Sequence, residues 1–334
     1  MTNYKNVICS YVSYRRNIKD MPFVKTLTDT EQAVGVVRSM SEIFGDDYEL
    51  KALKNLPMQD CLKLLEKGEI TQELLDNKDI SAFGKCEENG SYILINEQEH
   101  IRLIVYSKNF DLEKCYNIAN SMDDKVSDKL ELAFNTTYGY LTSNPMLCGT
   151  GMQVGCLLFL PAIVHNKKLI SLLADSQTKD FEFFNLDGKV HDGKSAFVSI
   201  RNKYTFGYKE NEFAQKLQAL VEQIMELEMR EENKIFDFSA SNLVDKIYRS
   251  YGIAKNAYRL NLAEAQDLLC DIYWGINLKV LKIKNSFDIL NILCKIKENH
   301  LNVQGMNIKE IEKARAKVLS SILDKNTVKG EVDV

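Results

Sequence analysis

Four short segments carry side chains whose types and spacing could do chemistry. In Asn96-Glu97-Gln98-Glu99-His100-Ile101-Arg102, two carboxylates, a histidine and an arginine crowd one stretch of chain. Such a set could organise a magnesium nucleotide or move protons. A solvated polar turn is the plainer reading. Gly149-Thr150-Gly151 could let backbone approach a ligand phosphate, or could simply be a tight turn. Arg15-Arg16-Asn17 could reach an anion, or could be two surface arginines at a strand end. Glu312-Lys313-Ala314-Arg315-Ala316 has the spacing of an ordinary charged helix face with i,i+3 pairs, yet also offers a cation beside a small residue.

The elements that must hold these segments follow from periodicity. Residues 4–16 alternate as a strand, with Val7, Cys9, Tyr11 and Ser13 on one face and Ile8, Ser10, Val12 and Tyr14 on the other. Thr28 is placed to cap a helix running to about Phe44, with Glu31 three residues on. Short helical pieces follow to about Asp76. Ser91–Asn96 and Ile101–Ser107 are β-branched and aromatic-rich strands flanking the first polar segment. A helix is expected from Asp111 to Phe134, then strands at 154–160, 181–186 and 196–200. From Phe213 the apolar spacing becomes helical through Leu217, Leu220, Val221, Ile224 and Leu227. Helices are expected near 241–251, 262–275, 285–297 and 307–325, with no further strand. The change of pattern sets a boundary near residue 230, in the charged run Glu226–Lys234.

Composition narrows the classes. The chain has 334 residues, 45% hydrophobic and 27% charged, with a net charge of −4. That fits a folded protein of two domains and argues against a global nucleic-acid footprint. The longest apolar run, Cys156–Val164, is nine residues with a proline inside, too short to span a membrane. The N-terminal stretch lacks the apolar core of a signal peptide. Eight cysteines with no C-x-x-C pair and four scattered histidines offer no zinc spacing and suit reduced thiols. A cytoplasmic protein without nucleic-acid or membrane partners and without a protein-held metal is expected.

Taken in order, the segments resemble the guanidino-kinase (phosphagen kinase) superfamily, and most closely the bacterial protein-arginine kinases. Val7-Ile-Cys-Ser-Tyr-Val-Ser-Tyr-Arg-Arg-Asn17 is similar to the family's V-I-S-S-R-V-R-L-A-R-N, and Asn96–Arg102 to N-E-E-D-H-L-R. Gly139–Gln153 resembles G-Y-L-T-S-C-P-T-N-L-G-T-G-L-R, with Phe159-Leu-Pro-Ala162 for the following H-L-P-A. Ile200–Gly207 resembles I-S-N-Q-x-T-L-G, and Asp245–Ile253 resembles D-R-V-x-R-S-Y-G-I. The resemblance implies an α+β fold: a guanidino-kinase catalytic-type domain over 1–230, an antiparallel β-sheet flanked by helices, then an all-helical C-terminal domain over 231–334. That second domain mediates dimerisation in the family and reads phosphoarginine through R-D-x-x-R-A. Here the stretch is Ile311-Glu312-Lys-Ala-Arg315-Ala316, so Glu312, Arg315 and Ala316 are the candidate phosphoarginine-binding residues.

The departures from the family matter as much. The opening strand's two phosphate-binding arginines fall at Tyr11 and Ser13, and the arginine after G-T-G-L falls at Gln153. The second glutamate of N-E-E-D-H falls at Gln98, and the cysteine before proline at Asn144. An ungapped match puts the arginine and glutamate of R-G-x-x-G-E at Phe184 and Lys189. The resemblance thus implies a catalytic set of Glu97, Gln98 and Glu99 and a nucleotide set of Arg16, His100, Arg102, Gly149, Thr150, Gly151 and Gln153, with ATP and magnesium as cofactors. Of the phosphate-binding arginines, Arg102 remains, and Arg15 shares a strand face with Tyr11 and Ser13 as a candidate replacement. A charge-assisted hydrogen bond contributes about 1.5–3 kcal/mol, so losing about four removes roughly 6–12 kcal/mol. A nucleotide held at about 10 μM has only about 7 kcal/mol in all. The expectation is a degenerate phosphotransferase, a pseudokinase acting by forming a homodimer or by docking an active protein-arginine kinase, its activator or a Clp-type protease-chaperone system. The alternative is an active protein-arginine kinase.

Overall fold

The computed structural model describes residues 5–175, 178–284, 286–301 and 303–329. Tyr4 and Asn285, the first residues of two expected elements, lie outside that set. The chain divides into two compact units, Met1–Cys61 with Ile70–Glu228, and Leu62–Glu69 with Met229–Val334.

The first unit is built on an eight-stranded antiparallel sheet. Its strands are β1 (Val7–Arg16), β2 (Lys51–Ala52), β3 (Ala82–Cys86), β4 (Ser91–Ile95), β5 (Ile101–Ser107), β8 (Met152–Phe159), β9 (Phe181–Phe184) and β10 (Phe197–Asn202), in the order β2-β3-β4-β5-β1-β8-β10-β9. A small hairpin, β6 (Phe134–Asn135) with β7 (Gly139–Tyr140), stands apart from it. One face of the sheet is apolar. Val12, Tyr14, Leu103, Val105, Met152, Val154, Cys156 and Ile200 pack there against helices. Those helices are α1 (Thr30–Phe44), through Val36, Met40 and Phe44; α4 (Leu112–Ser127), through Cys115, Ala119 and Met122; and α7 (Glu210–Asn256), through Phe213, Leu217 and Ile224. Each helix presents residues three or four apart to the sheet, as an amphipathic helix must. The shorter helices are α2 (Met58–Lys67), α3 (Gln72–Asp76), α5 (Pro161–His165) and α6 (Leu169–Leu173).

Several boundaries differ from the sequence expectation. Asp29, not Thr28, caps α1: its side chain accepts from the Glu31 and Gln32 amides. Helix α4 stops at Ser127 instead of reaching Phe134. Its would-be continuation is taken by the end of β1, because the Ala133 amide donates to the Asn17 carbonyl at 2.8 Å and Lys19 N to Glu131 O at 2.9 Å. The run 226–234 is helix interior; α7 continues unbroken for 47 residues, with no proline to stop it.

The second unit holds α8 (Leu262–Asn277), α9 (Ile289–Lys295) and α10 (Ile308–Asn326). It also contains a two-stranded antiparallel ribbon, β11 (Leu281–Ile283) with β12 (Thr327–Lys329). The sequence reading expects no strand there; Leu281-Lys-Ile283 and Thr327-Val-Lys329, at three residues each, are too short to show a period. The fold is α+β, with an antiparallel sheet flanked by helices and a mainly helical C-terminal part. Among the described residues, no helix is long and apolar enough to cross a membrane.

Candidate functional site

Strand alternation sends Tyr11, Ser13 and Arg15 to the sheet face away from the apolar core. Register places Tyr106, Ile104 and Arg102 of β5 directly across from them. On the other side, Gly155 lies opposite Tyr11 and Gln153 opposite Ser13, and Arg201 of β10 is in turn opposite Gly155. Three arginines therefore share one face. Arg102 donates from Nη1 to Glu97 Oε1 at 2.9 Å and from Nε to the Ser13 hydroxyl at 3.2 Å. Arg201 pairs with Glu182 at 3.2 Å. Arg15 is 3% exposed, and its Nε and Nη1 bond to nothing in the protein. Burial foremost, then the charge of Arg102, pushes the Arg15 guanidinium well below its ordinary value. Burial also raises the Tyr11 phenol, which stays neutral despite Arg201, Arg102 and Arg15 nearby.

The Asn96–Arg102 segment is a turn between β4 and β5 made possible by Asn96, whose φ of 58° is left-handed, a conformation asparagine tolerates better than most residues. The Asn96 side-chain amide donates to the Ala33 and Ile80 carbonyls, and Asn77 donates to the Asn96 and Glu97 carbonyls. This rigid frame decides what each candidate faces. Glu97 is buried; it accepts from Arg102 and, at 2.6 Å, from the Thr71 hydroxyl. Burial alone would raise its carboxyl, but Arg102 and Arg15 hold it below the usual range, so it is ionised and neutralised from inside. Glu99 is fully buried and accepts from Asn17, the Ser143 amide and the Ser143 hydroxyl, which fixes the 142–145 loop. Gln98, between them, is exposed and donates to Glu73 at 3.1 Å.

His100 is occupied at both ring nitrogens. Nδ1 accepts from the Ile18 amide at 3.0 Å, so Nε2 carries the proton and donates to the Pro22 carbonyl at 3.0 Å. Burial lowers its pKa, which keeps the ring neutral. Arg16 points to the opposite side of β1 from Arg15. It pairs with Asp123 at 2.6 Å, donates to the Thr150 carbonyl at 2.9 Å and stacks over Tyr140 at 3.6 Å. Gly149 and Gly151 both have positive φ, 101° and 61°. A Cβ on Gly151 would lie 2.8 Å from both the Arg15 carbonyl and the Arg16 guanidinium, so the pair of glycines seats β1 against this loop. Thr150 contributes its carbonyl to Arg16 and its hydroxyl to the Met152 amide. Gln153 is buried, donates to the Asn202 carbonyl at 3.3 Å, and has an Oε1 without a partner.

The structure thus brings Glu97, Arg102 and Gln153 to the polar face with Arg15. It sends Glu99, His100, Arg16 and the Gly149–Gly151 loop into structural bonds, and leaves Gln98 at the surface. Lys189 stands apart from it, exposed and paired with Asp187, while Phe184 lies at its edge under the Arg201 guanidinium. The sequence reading missed Arg201, Glu182 and Thr71. Arg201 was in view as the residue after Ile200, but its place on the polar face emerges only from cross-strand register. In the second unit, Arg315 is buried and spends Nε on the Ile296 carbonyl at 2.8 Å and Nη1 on the Leu260 carbonyl at 3.0 Å. Ala316 is buried beside it, and Glu312 lies 4.0 Å from Arg259.

The sequence and the fold both have counterparts among known proteins. The family model described as ATP:guanido phosphotransferase, C-terminal catalytic domain, matches residues 30–231. The chain belongs to the ATP:guanido phosphotransferase family. A second family model, the Protein-arginine kinase McsB C-terminal domain, matches residues 240–331. The protein-arginine kinase of Clostridium botulinum is 30% identical over 332 residues, 96% of each chain. That of Clostridium acetobutylicum is 28% identical, covering 91% of this chain and 89% of its own. Among solved structures, the duplicated taurocyamine kinase from Schistosoma mansoni with bound transition state analog components superposes with a TM-score of 0.62 at 16% identity. That match covers 77% of this chain and 40% of the duplicated one. Lombricine kinase gives 0.58 at 17% identity, covering 71% and 70%. At these identities the structural likeness speaks for the phosphagen-kinase fold.

Proposed function

We propose that this guanido-phosphotransferase chain is a catalytically degenerate relative of the protein-arginine kinases that works by binding. It acts as a homodimer or docked to an active protein-arginine kinase, its activator or a Clp-type protease-chaperone partner. One observation carries the reading: both carboxylates of the Asn96–Arg102 turn are committed inside the protein, and the position between them that meets solvent is a glutamine. Glutamine accepts no proton and offers no full charge to a guanidinium. Glu97 offers little more, because it is buried and its charge is already engaged by Arg102 and Thr71.

The residues present do not fit a magnesium triphosphate held in the family's manner. The sequence resemblance puts the family's phosphate-gripping cations at Tyr11, Ser13 and Gln153, and Arg102, the one retained, is paired with Glu97. Among the described residues, no three metal-ligating side chains cluster. Arg315, engaged by two backbone carbonyls, is likewise ill-placed to read phosphoarginine.

The purified chain, incubated with magnesium ATP and an arginine-rich protein, is expected to yield no more acid-labile phosphoarginine than a reaction lacking it. Light scattering, alone and after mixing with an active protein-arginine kinase, is expected to show a dimer or a complex. Sustained phosphoarginine formation would overturn the reading in favour of an active kinase.

A further inference from the structure

Between Leu132 and Val164 the chain carries no aspartate, glutamate, lysine, arginine or histidine, although 27% of its residues are charged. The loop Tyr204–Tyr208 is equally free of charge. The first unit ties these two segments together. The Thr205 amide donates to the Met146 carbonyl at 2.9 Å, and the Thr205 hydroxyl to the Cys148 carbonyl at 2.7 Å. Tyr140 and Gly149 exchange backbone bonds at 2.8 and 3.2 Å, which fixes β7 to the same loop. A Cβ on Gly139, whose φ is 71°, would fall 2.5 Å from the Gly149 carbonyl oxygen, so a glycine is needed for this approach. On this fixed backbone Phe134, Tyr138, Met146 and Phe206 stand 48–58% exposed. The Tyr138 and Phe206 rings lie 6.2 Å apart, and Phe134 meets Tyr140 edge-on at 5.3 Å. Beside Phe134 opens a cleft of about 660 Å³ whose apolar wall is Leu130, Leu132, Phe134 and Tyr140. Aromatic and methionine side chains, clustered without charges on an ordered backbone, have the make-up of the centre of a protein–protein interface.

We propose that this face is where a second copy of the chain docks, ring cluster against ring cluster, about a two-fold axis. Charge selects the occupant. Two copies that each carry −4 repel, and close to its axis a two-fold contact sets any charge against its own duplicate. A face without fixed charge escapes that penalty. The charges at its border cancel: Lys19 pairs with Glu131 at 3.0 Å, and the cleft adds one carboxylate, Asp128, and one ammonium, Lys129. A strongly charged partner would find nothing here to steer it. The cleft beside Phe134 gives the exposed rings of the other copy a place to enter. The inference rests on the reading of this chain as one that works by binding, and it names the surface and the partner. That surface belongs to the first unit, not to the C-terminal domain through which the family resemblance implies dimerisation.

Sedimentation equilibrium of the full chain tests the proposal, and the average mass is expected to rise with concentration. Tyr138→Glu and Phe206→Lys each put a charge on the face and are expected to halve the mass at about 20 μM, whereas Tyr138→Phe leaves it unchanged. A one-to-one mixture of the two charged variants is expected to recover the wild-type mass, because opposite charges then meet across the axis. Both positions are half exposed, so each variant is expected to melt as the wild type does in circular dichroism. Met146→Glu, on the same face, replaces Tyr138→Glu in the series should that variant melt early. A wild-type mass that stays at one chain, an unchanged mass in both charged variants, or a mixture no heavier than its components overturns the inference. Charged variants that keep their mass but lose a complex with an active protein-arginine kinase overturn it in favour of that partner. All these outcomes leave the degenerate reading intact; phosphoarginine formation would instead overturn that reading.

Discussion

Glu97 is a carboxylate held entirely in structural bonds. It is the sole carboxylate bonded to Arg102 among the described residues, and it also moderates Arg15. Replacing it leaves two buried cations with no counter-charge. Glu97→Gln is therefore expected to cost about 3–5 kcal/mol, read as a lower urea midpoint. The histidines predict a pH dependence. His100 and His191 are both lowered by burial, and each uses Nδ1 to accept a backbone amide. Between their lowered folded values and the ordinary 6.5, the unfolded chain binds more protons than the folded one. Stability is then fully present above about pH 7 and declines as pH falls through 6.5. The decline in urea midpoint from pH 7.5 to 5.5 is expected to flatten in the His100→Gln, His191→Gln double variant, although its midpoint at pH 7.5 is lower. These roles were only half legible in the sequence. The Asn96–Arg102 motif was plain, but which of its members face the polar side depends on bonds to Thr71, Asn17 and Pro22, all distant in sequence.

At the scale of the element, the sheet shows what short-range patterns capture. β1, β4, β5, β8 and β10 were legible because alternation and β-branched residues mark them; β2 and β3 were not, since Ala82-Phe-Gly-Lys-Cys86 carries no clear period. The end of α4 was misjudged because its neighbour β1, more than a hundred residues away, decides it. Gly155 is a central-strand position with little tolerance. A Cβ there would run into the Tyr11 ring and come within 2.5 Å of the Ile200 carbonyl. Gly155→Ala is expected to destabilise the first unit by at least 2 kcal/mol, or to prevent its folding, because three central strands cannot all withdraw. Circular dichroism melts measure it directly.

At the scale of the whole molecule, the second unit is discontinuous in sequence. Leu62–Glu69 belongs with residues 229–334, which a single cut near residue 230 does not anticipate. Glu66 is its anchor: its carboxylate pairs with His300 Nδ1 at 2.7 Å and accepts from Asn299 Nδ2 at 2.8 Å, and its carbonyl accepts from Lys297 at 3.1 Å. Sequence patterns could not show this, because the partners are more than 230 positions apart. Glu66→Ala removes two charge-assisted bonds and is expected to cost about 2–3 kcal/mol, confined to this unit. Hydrogen exchange should quicken in α9 and in the Lys297–Leu301 segment while the amides of β8 keep their protection.

The bond from Gln98 to Glu73 also has an evolutionary edge. Gln98→Glu would set two carboxylates at hydrogen-bond distance on the surface, a repulsion of up to about 1 kcal/mol at such exposure. A glutamate at this position is thus opposed by Glu73 until Glu73 changes as well. Under the proposed degenerate reading the Gln98–Glu73 bond acts as a ratchet, because a glutamate at 98 is favoured only once Glu73 has changed as well.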